Sequence, residues 1–81
     1  MTYPLFSRVA LSVDLPEYNL KSGDIATIVD THVASGKTGL SLEVFNAKGE
    51  TIAIVVAEET QVEPLREDEI LHIRHLDKIA A

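Results

Sequence analysis

Glycine and proline punctuate this chain so densely that only short elements fit between them. Pro4, Pro16 and Pro64, with Gly23, Gly36, Gly39 and Gly49, cut the sequence into pieces. Within most pieces, aliphatic residues alternate with polar ones at period two, the spacing of a strand rather than a helix. Residues 6–13 place Val9, Leu11 and Val13 on one face. Pro16 then breaks the ladder, because it has no N–H to donate. Lys21-Ser22-Gly23-Asp24 predicts a tight turn, with glycine supplying a positive φ. Residues 24–32 are rich in β-branched side chains (Ile25, Thr27, Ile28, Val29, Thr31) that suit a pleated surface.

After a loop over residues 34–39, residues 40–45 alternate again, with Leu40, Leu42 and Val44 on one side. Asn46-Ala47-Lys48-Gly49 predicts a hairpin turn. Residues 51–57 follow, and Ile52-Ala53-Ile54-Val55-Val56 is apolar on both faces, as in a central strand covered on both sides. Residues 61–65 add a short strand through Val62. Phe6 and Phe45 are expected in the core. Five or six strands about 8–12 residues apart predict a small all-β barrel or sandwich, mostly antiparallel.

Residues 66–81 satisfy two patterns. Pro64 followed by Glu67, Asp68 and Glu69 favours a helix start, where acids complement the dipole. Stepping about 100° per residue, however, leaves Ile70, Leu71, Ile73, Leu76 and Ile79 without a clear polar face opposite them. As a strand, Leu71 and Ile73 share one side while His72 and Arg74 share the other, a solvated one. The strand near residues 70–75, with a frayed or short helical tail, is the better fit.

Charge narrows the function. Thirteen acids against seven Lys and Arg give −6, a poor basis for neutralising phosphates. Six of those acids (Glu58, Glu59, Glu63, Glu67, Asp68 and Glu69) fall in residues 58–69 against Arg66 alone, so this segment carries −5. Without cysteine there is no disulfide, thiolate nucleophile or Cys-ligated metal. No run approaches the roughly 18–20 apolar residues of a membrane helix, and no signal peptide is evident at the start. A cytoplasmic location is expected, with no membrane association.

Asp14-Leu15-Pro16-Glu17, then Leu20 to Val29, resembles the opening of an SH3-like barrel of KOW type. Glu43-Val44, Gly49 to Ala53, and Ile70-Leu71-His72-Ile73-Arg74 continue the pattern. Together these pieces, over roughly residues 6–76, resemble a family of small bacterial proteins known only as a domain of unknown function. The resemblance implies an SH3-like barrel and transfers no catalytic residues. Ala26 stands where that family tends to have glycine. This implies ordinary β backbone there and the loss of a position where nucleic acid could approach the chain closely.

Other constellations carry little. Ser35-Gly36-Lys37-Thr38 mimics the end of a phosphate-binding loop. Residue 31 is threonine rather than the required first glycine, and a strand rather than a helix follows. His32, His72 and His75 are the only imidazoles, and no metal site is expected from them. Paired-acid catalysis needs a cleft that so small a barrel rarely forms. No cofactor and no catalytic residue is expected.

The reading is therefore one domain over residues 1–81: an all-β, SH3-like barrel with a possible short helical tail, acting as a non-catalytic protein-interaction module. Its partner is expected to be a basic protein, as for an antitoxin-like or immunity-like protein. Contact is expected through Tyr18 as an aromatic anchor and through Glu58, Glu59, Glu63, Glu67, Asp68 and Glu69. The alternative is a KOW-like nucleic-acid or ribonucleoprotein accessory, for which Lys21, Lys37 and Lys48 in loops offer the only basic edge. Homodimerisation through an edge strand is also expected.

Overall fold

In the computed structural model, which describes residues 3–76, five strands form one antiparallel sheet. They are β1 (Arg8–Leu11), β2 (Ile25–Ala34), β3 (Lys37–Phe45), β4 (Thr51–Glu58) and β5 (Val62–Pro64). Single 3-10 turns occupy Pro16–Tyr18 and Glu59–Gln61. The strand order is β4-β3-β2-β1-β5, and every neighbouring pair is antiparallel. The all-β expectation holds. The sheet is open, since β4 and β5 are its two edges.

The inward face follows the alternation in β3, where Leu40, Leu42 and Val44 are buried. Ile28 and Val55 stand on either side of Leu42 in register, and all three are at most 1% exposed. Ala26 lies in β2 opposite Val9, as ordinary buried strand. Leu15 and Leu20 close the core from the loop between β1 and β2, which is pinned by a Leu15 N–H bond to Leu20 O at 2.9 Å.

Several expectations need correcting. β1 is shorter than residues 6–13. Val9, Ala10 and Leu11 are all buried, while Val13 lies beyond the strand and is exposed. Phe6 and Phe45 are exposed rather than core. Phe6 precedes β1 at φ 66. Phe45 follows a register shift after Val44 that ends the inward alternation. β4 is an edge strand, and its outer face is uncovered as well: Ile54 is 65% and Val56 64% exposed. Residues 70–75 form neither strand nor helix. The tail pairs with neither open edge of the sheet, β4 or β5. A helical tail over residues 77–81 lies outside the described residues.

The loop expected at residues 34–39 shrinks to Ser35 and Gly36, because Ala34 and Lys37 still pair. Both loop residues have positive φ, 53 and 75, the type I′ geometry whose twist matches that of paired strands. Gly36→Ala is expected to lower stability by about 1 kcal/mol through backbone strain alone, since nothing lies within 4 Å of the added methyl. Gly39→Ala, in extended backbone and ordinary van der Waals contact, should be neutral or mildly stabilising. Thermal denaturation of the two variants side by side measures the difference. Equal midpoints would contradict the turn geometry.

Candidate interaction surface

The acidic segment follows the chain from the last residue of β4, through the 3-10 turn and β5, into a turn at residues 67–68. Part of this charge serves local structure. Glu58 and Gln61 form a capping box, with the Glu58 N–H donating to Gln61 Oε1 at 2.8 Å. The Arg66 N–H donates to Glu69 Oε1 at 2.6 Å, and Arg66 Nε lies 3.3 Å from Asp68 Oδ1. That last pair is well exposed and contributes little. Glu59 is half-buried and engaged. Among the described residues, the exposed Glu63 and Glu67 carboxylates have no hydrogen-bond or ion-pair partner. Glu63 sits on the short β5, opposite Ala10. The sheet border at β5 therefore presents negative charge that its own fold does not consume.

Tyr18 ends the first 3-10 turn and is 43% exposed, as an anchor would be. No described hydrogen bond or ion pair joins it to the acids, so the structure does not tie the seven candidate residues into one site. The basic loop residues do not converge either. Lys37 opens β3, while Lys48 lies in the turn beyond that strand's other end. Nine residues of strand, about 30 Å, separate those two ends.

A feature absent from the sequence reading joins residues 50 positions apart. Arg74 grips Asp24 in a fork: Nε donates to Oδ1 at 3.0 Å and Nη2 to Oδ2 at 2.6 Å. Nη2 also reaches the Asn19 carbonyl at 3.4 Å. The two side chains are 29% and 18% exposed, so Arg74 is not on a solvated face as the strand pattern implied. Asp24 Oδ2 additionally accepts the Lys21 N–H at 2.8 Å. One carboxylate thus closes the turn before β2 and ties down the tail. Only a residue pattern linking positions 24 and 74 could have revealed this, and a single chain contains none.

Between this tail and the rim of the sheet lies an open groove of about 750 Å³. Ile25, Thr27, Val44 and Ile52 line one side, and Leu71 and Ile73 the other. The tail supplies a wall that the sheet alone lacks. His32 Nε2 pairs with Ser41 Oγ at 2.8 Å on the outer hairpin. Among the described residues no cluster of His and acids could hold a metal ion, and no helix is long and apolar enough to cross a membrane.

Residues 5–64 match the family described as Domain of unknown function (DUF4926), and the chain belongs to that family. The match contains all five strands and stops where β5 ends, before the tail that carries Arg74. No curated protein and no solved structure matches the chain.

Proposed function

We propose that this protein is a non-catalytic interaction module that receives a basic protein along its β5 border. The carrying observation is that Glu63 and Glu67 are exposed and unpartnered among the described residues, on a segment with a net charge of −5. Such a polarised edge raises the on-rate of an oppositely charged partner and sets its orientation. A toxin-like nuclease, basic because it binds phosphates, has the required chemistry, which makes an antitoxin-like or immunity-like role the specific form of the proposal. The same reading takes the sheet as an SH3-like barrel, supported by five antiparallel strands whose first pairs with the last.

Charge reversal tests it. The Glu63→Lys/Glu67→Lys variant is expected to lose a stoichiometric basic partner in co-purification. Its thermal midpoint should stay within a few degrees of the parent, since both side chains are solvated. Glu69 is left intact because it holds the turn. Undiminished capture would remove the β5 border from the site. Binding of labelled RNA at about 150 mM salt, near physiological screening, would favour the nucleic-acid alternative instead.

A further inference from the structure

The two edges of the sheet are built differently. β5 has three residues, carries Glu63 and ends on Pro64. Shortness, charge and proline are the features by which natural sheets block edge-to-edge pairing. β4 has only a terminal charge, Glu58. It is eight residues long, and residues 52–57 contain no charge, proline or glycine. Among the described residues β4 pairs only with β3, so its other side presents unused N–H and C=O groups. Ile54 and Val56 stand exposed on its outer face.

We infer that β4 pairs antiparallel with β4 of a second copy, forming a continuous ten-stranded sheet about a two-fold axis. Three observations favour a second copy over another partner. A two-fold axis brings identical strands together, so the uncharged, apolar stretch 52–57 meets a stretch of the same chemistry. The blocked β5 gives the sheet one usable edge, so association stops at the dimer rather than continuing into a fibre. Charge then selects the register. Inner and outer faces must stay aligned, which leaves ladders centred on Ile54 or on Val55. The first sets Glu50 opposite Glu58 of the other copy, and like charges directly opposite are destabilising. The second sets Val55 opposite itself, Ile54 opposite Val56 and Ala53 opposite Ala57, with no acid facing an acid. The structure assigns the second.

A ladder of this length buries less than the roughly 1,200 Å² of standard complexes, so the dimer belongs to the weak class held by main-chain hydrogen bonds. Sedimentation velocity from micromolar to millimolar protein should show the 8.9 kDa monomer converting to twice that mass. Ile54→Lys/Val56→Lys places lysine opposite lysine and should raise the dissociation constant at least about tenfold. Ile54→Glu/Val56→Glu should do the same, and an equimolar mixture of the two variants should recover a heterodimer. Ile54→Thr/Val56→Thr keeps β propensity and checks that any loss is not misfolding. A monomer at millimolar concentration overturns the inference. So does a dimer insensitive to both charge pairs, or one lost only when the exposed tail residues Ile70 and Ile73 become serine. Glu63→Lys/Glu67→Lys should dimerise normally, so failure of the partner proposal and failure of this one are separable.

Discussion

Leu42→Ala is expected to remove a large share of the protein's stability. Leu42 is fully buried at the centre of β3, flanked in register by the equally buried Ile28 and Val55. Truncating such a leucine costs about 2–5 kcal/mol, because lost transfer energy adds to the cavity left behind. A domain of this size has about 4–12 kcal/mol in total, at the usual stability per residue. One substitution therefore removes a large share. Urea denaturation should show a much lower midpoint at an unchanged slope, the signature of lost stability without altered compactness. Ile54→Ala is the matched control. Ile54 is 65% exposed one residue away from Val55, and its truncation should cost less than about 0.5 kcal/mol in the monomer. Equal costs at the two positions would mean that the inner and outer faces have been assigned the wrong way round.

The second large effect is expected at Asp24. Its carboxylate accepts two bonds from Arg74 and one from the Lys21 N–H. Breaking a buried ion pair costs about 3–5 kcal/mol because a charge is left without its partner. Partial exposure of both side chains lowers that, so Asp24→Ala is expected to cost about 2–3 kcal/mol. Arg74→Ala should cost less, about 1–2 kcal/mol, since the turn before β2 keeps its Lys21 bond. Both variants should release the tail, seen as faster proteolysis within residues 65–76. A double-mutant cycle should return a coupling of about 1–2 kcal/mol. Additive losses would show that the two groups do not depend on each other in solution.

The sequence made the body of the sheet legible where local rules were sufficient. Leu40, Leu42 and Val44 announced the buried face of β3 because alternation is a property of neighbouring residues. Asn46 to Gly49 announced its turn through the asparagine, whose Oδ1 accepts the Lys48 and Glu50 N–H groups at 2.9 Å. The acidic segment was equally plain, and the structure adds that Glu58, Asp68 and Glu69 are partly spent on capping and turn contacts. The tail was not legible. An apolar stretch after Pro64 has the composition of a strand, but it pairs with neither edge of the sheet and is held instead through Arg74 to Asp24, a contact between residues far apart in the chain.

The all-β class, the turn positions and the uneven distribution of charge were thus determined by the sequence alone, because φ preference, side-chain alternation and formal charge act within a few residues. Tertiary structure alone decided that the most apolar strand is an edge and that Phe6 and Phe45 face solvent. It also decided that Arg74 meets Asp24 and that a groove forms under the tail. Each of these depends on which strand lies beside which, and that is settled by pairing and packing between residues far apart in the chain.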